Sequence, residues 1–134
     1  MLAEVLGDEG YSVESAANGK DALKACEKLP FDVALVDVEL PDIKGTELLN
    51  KLKHKQPKMV NIIITGHPSI ENAMKALNEK ADGYILKPFE IPTLLAMMKK
   101  LVDEKTNEYL AMFTEVEKAK EKSPIFKYNH PDKW

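Results

Sequence analysis

The pattern of apolar and polar positions divides the chain into short apolar runs separated by amphipathic stretches. Leu2, Val5 and Leu6 recur at i, i+3, i+4, which predicts an opening helix bracketed at its end by Gly7 and Gly10. Tyr11-Ser-Val-Glu-Ser15 alternates with period two and predicts a strand. Asn18-Gly19 turns into a helix with Ala22, Leu23 and Cys26 inward, and Pro30 stops it. Val33 to Val36 is an apolar run of strand length that stops at Asp37 and passes into a loop marked by Pro41 and Gly45. A helix from about Gly45 to His54 turns Leu48, Leu49 and Leu52 inward before Pro57 closes it. Met59 to Thr65 is a continuous apolar run, the pattern of a parallel strand buried on both faces. Ser69 then suits an N-cap, with Ile70, Ala73, Met74 and Leu77 at helical spacing. Gly83-Tyr-Ile-Leu-Lys87-Pro88 predicts a last short strand ending in a base.

After Pro92 a helix carries Leu94, Leu95, Met98, Leu101 and Val102, and the residues from Asp103 to Glu108 are wholly polar. Apolar spacing resumes in phase at Tyr109, Met112, Phe113 and Val116, which predicts one long helix to about Lys120. Its outer half needs a partner for that stripe: a second copy, a following domain or the tail folding back. Ser123 to Trp134 holds Pro124 and Pro131 and no periodicity, and reads as tail. Strands alternating with helices imply an α/β domain, a parallel sheet with helices on both faces. The expected division is residues 1–102 as the domain, 103–122 as a helical extension and 123–134 as an irregular tail.

Composition narrows the class. A chain of 134 residues with 44% hydrophobic content can bury one core. A net charge of −3 gives no footprint for nucleic acid, and no apolar run reaches the roughly 20 residues of a membrane span. The single cysteine, Cys26, excludes an internal disulfide, and no leader pattern precedes the fold, so a reducing cytoplasm is expected. His54, His67 and His130 lack metal-ligand spacing.

Three successive strand ends offer a carboxylate, a hydroxyl and an ammonium: Asp37, Thr65 and Lys87. In an open α/β sheet all three face the edge where the strand-to-helix loops converge. Such a set suits a phosphoryl group, with the carboxylate as nucleophile and the other two binding phosphoryl oxygens.

Phe31-Asp-Val-Ala-Leu-Val-Asp37, Leu40-Pro41-Asp42 with Gly45, Ile64-Thr65-Gly66-His67, and Ala81-Asp-Gly-Tyr84-Ile-Leu-Lys87-Pro88-Phe89 stand in order. On these motifs the chain resembles, from roughly Leu2 to Val102, the CheY-like receiver domains of two-component response regulators. The resemblance implies a flavodoxin-like doubly wound sheet, phosphorylation of Asp37 by a histidine kinase, and magnesium as cofactor. It makes Thr65 the hydroxyl that moves toward the phosphoryl group and Lys87 its cationic partner. Tyr84 becomes the aromatic switch on the output surface, and the Lys87-Pro88 bond is expected to be cis.

The family begins with a strand ending in two acids that hold magnesium, and this chain starts after that point. Asp8 and Glu9 fall at the far end of the following helix and do not replace them. Of the family's metal ligands Asp37 and the backbone carbonyl of Glu39 remain, so magnesium binding is expected to be weak or absent. The family's strand order, 2-1-3-4-5, puts the absent strand inside the sheet and leaves a gap of about 10 Å. The start is then truncated, or the Tyr11 and Asp37 strands pair directly, or a second chain swaps in, or Ile125-Phe-Lys-Tyr128 enters the slot. The alternative function is a phosphorylation-independent interaction module that dimerises through the long helix. A flavin or nucleotide carrier would require a Gly-rich or Ser/Thr-rich phosphate loop, which this stretch lacks.

Overall fold

The computed structural model describes residues 2–37, 41–66 and 81–122, without the side chains of Thr46 and of residues 113–122. The elements in order are α1 (Leu2–Asp8), α2 (Gly19–Lys28), β1 (Val33–Asp37), α3 (Gly45–Lys55), β2 (Val60–Thr65), β3 (Gly83–Leu86) and α4 (Ile91–Lys122). The helix expected around Ile70 to Leu77, the tail and Glu39 lie outside the described residues.

Local chemistry sets the helix ends. α1 closes in a Schellman arrangement: the Tyr11 N–H donates to the Leu6 carbonyl at 3.1 Å and the Gly10 N–H to the Gly7 carbonyl at 3.0 Å. Gly10 takes φ +96°, a left-handed conformation that glycine reaches without steric cost. Asn18 caps α2, its side chain accepting from the Asp21 N–H at 2.8 Å. In α4, Pro92 sits in the first turn, where the missing N–H has no helical partner to lose.

Among the described residues the sheet has three parallel strands in the order β1-β2-β3. Val33 lies opposite Val60 and Asp37 opposite Ile64; Ile62 lies opposite Gly83 and Thr65 opposite Leu86. β2 is the middle strand and all six of its residues are buried, which explains its apolar run, interrupted by the buried Asn61 and ending at Thr65. On one face Leu6 of α1 and Leu94 and Met98 of α4 pack against Val60, Ile62, Ile64 and Ile85. On the other, Leu48, Leu49 and Leu52 of α3 pack against Val36 and Ile63, with Ala22, Leu23 and Cys26 of α2 alongside. Gly83 lets α4 approach β3: a Cβ there would stand 2.8 Å from Leu101 Cδ1 and 3.2 Å from Met97 Sδ.

The strand expected over Tyr11 to Ser15 does not form. The segment has no ladder partner and is exposed, and it does not pair with β1. A strand is stabilised by cross-strand pairs, and period-two patterning supplies none when no neighbour lies beside it. The long helix runs as the apolar phase implies. It stays on the body past Val102: Lys105 pairs with Asp82 at 3.0 Å, and Lys58 lies over the Tyr109 ring, 5.4 Å from its centroid.

Candidate functional site

The parallel register brings the C-terminal ends of all three strands to one edge, so Asp37, Thr65 and Lys87 stand there together. Side chains alternate faces along a strand, and Asp37 continues the phase of Val33 and Leu35. Lys87 continues the phase of Ile85 on that same face. β1 and β3 flank β2, so their Cα traces are two inter-strand spacings apart, about 10 Å. The lysine spans that distance: Lys87 Nζ donates to Asp37 Oδ2 at 3.2 Å across 50 residues of sequence. The lysine stem passes close to Gly66, where a Cβ would lie in ordinary van der Waals contact, 3.9 Å from Lys87 Cβ and Cδ. The side chains of Lys87 and Asp37 are 49% and 44% exposed, so a charged donor in solution can reach the carboxylate.

Thr65 is 1% exposed and continues the opposite phase, that of Ile63, which faces Tyr84 in register. The backbone joins the two phases: the Lys87 N–H donates to the Thr65 carbonyl at 2.7 Å. Tyr84 is half-buried, and its buried hydroxyl has no hydrogen-bond partner among the described residues. The Lys87-Pro88 bond is cis, as expected.

The implied divalent cation wants about six oxygen ligands in near-octahedral geometry. Among the described residues no group of three or more acidic, histidine or cysteine side chains converges, and Asp37 is the carboxylate at a described strand end. The described residues do not form a fitted cage for a hard cation.

Three polar residues that hold the frame had no anchoring role legible in the sequence, although Asp42 and Asp82 stand inside the motifs that carry the resemblance. Gln56 bridges α2, α3 and the approach to β1. Asp82 accepts from the Asn61 N–H at 2.8 Å and from Lys105 with both oxygens. Asp42 caps α2 from 23 residues away. Each joins residues at least 21 positions apart, so no local pattern marks them.

The family model of the response regulator receiver domain matches residues 1–99. The chain belongs to that family. A receiver domain protein described as CheY-like, from Methanospirillum hungatei, has a crystal structure that matches with TM-score 0.74 at 43% identity, covering 78% of this chain and 84% of that one. A response regulator from Burkholderia pseudomallei, solved with a phosphorylated aspartic acid, a calcium ion and citrate, matches with TM-score 0.70 at 32% identity, covering 81% of this chain and 64% of that one. The probable transcriptional regulatory protein TcrX of Mycobacterium tuberculosis is 29% identical over 102 residues, 76% of this chain and 44% of TcrX. The receiver-like chain thus spans under half the length of that relative. The fold is the CheY-like, flavodoxin-like α/β fold with a long C-terminal helix.

Proposed function

We propose that the chain receives a phosphoryl group on Asp37 from a phosphohistidine of a sensor kinase. The Asp37–Lys87 contact at 3.2 Å carries this reading, because it holds an ammonium beside a carboxylate that stays open to solvent. An Asp37 carboxylate oxygen attacks phosphorus, the P–N bond breaks, the imidazole nitrogen leaves with the bonding pair and is protonated from water, and an acyl phosphate remains. Lys87 offsets the charge that accumulates on the phosphoryl oxygens. Thr65 and Tyr84 serve as the hydroxyl and the aromatic ring that respond. Receiver domains are generally phosphoacceptors rather than enzymes acting on separate substrates, and they generally bind magnesium. In this chain Asp37 and the Glu39 carbonyl would contribute to such a site, with weak affinity. No helix among the described residues is long and apolar enough to cross a membrane.

The test is incubation with acetyl phosphate and magnesium, read by intact mass. One phosphoryl adduct is expected on the wild type, none on Asp37→Asn and less on Lys87→Met. An adduct that persists in Asp37→Asn, or none on the wild type where an intact receiver is modified, refutes the reading.

A second reading concerns residues 103–122 as an extension that dimerises. Leu110 and Met112 are large, exposed hydrophobics just past the point where Tyr109 touches the body. Light scattering over a concentration series tests it, and a strict monomer refutes it. The tail over 123–134 is assigned no role.

A further inference from the structure

Four residues separate the end of α2 from the start of β1, so α2 runs back against the strand and starts at the edge where β1 ends. Its first turn exposes N–H groups with no helical acceptor. Asn18 satisfies one of them from the N-cap position, accepting from the Asp21 N–H. Two more are taken by a residue of the phosphoacceptor loop: Asp42 Oδ1 accepts from the Gly19 N–H at 2.9 Å and Asp42 Oδ2 from the Lys20 N–H at 3.1 Å. The next side chain, Ile43, seats in the cluster that contains Val36 and Leu48. Gly19 closes this seat, since a methyl there would overlap Ile43 Cγ2. The segment is therefore held by a two-point polar clamp on one residue and an apolar seat on the next. The Gly19 N–H, with those of Lys20, Asp42 and Ile43, keeps the Asp42 carboxyl below its ordinary range and so anionic.

We propose that Asp42 is a positioning residue for the phosphoacceptor, fixing on α2 the far end of the loop that leaves β1 at Asp37. The proposal rests on the reading of Asp37 as the acceptor. The loop has one end set by strand register, at Asp37, and Asp42 sets the other five residues later. Freeing that end widens the range of loop conformations around the carboxylate, and reaction through a well-placed geometry slows accordingly. The role does not require Asp42 to touch the phosphoryl donor.

The full chain, as wild type, Asp42→Ala and Asp42→Asn, is compared by hydrogen exchange and by the acetyl phosphate assay. In Asp42→Ala, amide exchange is expected to rise about fivefold in peptides covering both residues 19–25 and residues 38–46, the factor that a lost cap of ordinary strength gives. Phosphorylation is expected to slow by a similar factor. Asp42→Asn, which keeps one acceptor oxygen, is expected to fall between and serves as the reference if the alanine variant does not fold. Faster exchange confined to residues 19–25, with the loop and the phosphorylation rate unchanged, would show a helix cap only and overturn the proposal. If the wild type takes no phosphoryl group, the acceptor reading fails, and exchange over 38–46 still decides whether Asp42 holds the loop.

Discussion

Replacing Gln56 with alanine tests whether the frame beneath the site is tied by one side chain. Its Oε1 accepts from the Phe31 N–H at 2.8 Å, and its Nε2 donates to the Cys26 carbonyl at 2.8 Å and the Leu29 carbonyl at 2.7 Å. Cys26 lies in the last turn of α2, whose carbonyls have no helical donor, and Phe31 leads into β1. Two of these bonds are partly buried and the third is exposed. Water regains the exposed one, while each of the others contributes about 1 kcal/mol net. Gln56→Ala should therefore lower the unfolding free energy by about 2 kcal/mol in urea titrations with an unchanged m-value. Gln56→Glu keeps the acceptor but sets an anion against two carbonyls, so it should destabilise at least as much. Lys55→Ala next door removes only an exposed ion pair with Glu27 and should move the midpoint far less. Equal midpoints for Gln56→Ala and Lys55→Ala would refute the bridging argument.

Other expectations follow from the same contacts. Leu49 is fully buried between α3 and the sheet, so Leu49→Ala should cost about 3 kcal/mol by urea denaturation. Asp82→Asn keeps an acceptor for the Asn61 N–H but leaves the Lys105 ammonium, 16% exposed, without its counter-charge. It should cost about 1–2 kcal/mol, with part recovered in the double variant with Lys105→Met. The Asp42 carboxyl should titrate below 3.8 by NMR, because the Gly19 N–H and its neighbours favour the anion. A folded-state value below the unfolded one means its stabilisation is present above the unfolded value and is lost as pH falls through the folded one. Acid should thus narrow the stability difference between wild type and Asp42→Asn.

Apolar runs of strand length identified β1, β2 and β3, and period-3.6 patterning identified α1, α2, α3 and α4, because each element is packed where its pattern puts apolar side chains. Asp37, Thr65 and Lys87 were legible for a related reason: each ends an apolar run, and parallel register carries run ends to one edge. Tyr11 to Ser15 misled because alternation reports which faces a strand would present, not whether a neighbour exists to pair with it. Gln56, Asp42 and Asp82 were illegible as anchors because a side chain that bonds backbone 21 or more residues away leaves no periodic trace.

The strand phases also explain how one edge keeps two kinds of group apart. Asp37 and Lys87 project with the α1 and α4 face, where both remain wet enough to carry charge. Thr65 projects with the α2 and α3 face, on the side of half-buried Tyr84 and Ile63, where a free charge would be costly. Had Thr65 been one residue earlier or later, it would share the face of the ion pair and lose its buried place beside Tyr84. The sheet separates charge from packing, and the 2.7 Å bond from the Lys87 N–H to the Thr65 carbonyl is a direct link across that partition. An event at Asp37 that pulls on the Lys87 ammonium therefore acts on backbone hydrogen-bonded to Thr65. Thr65 itself is 1% exposed on a strand packed on both faces, so it has little free volume in which to move.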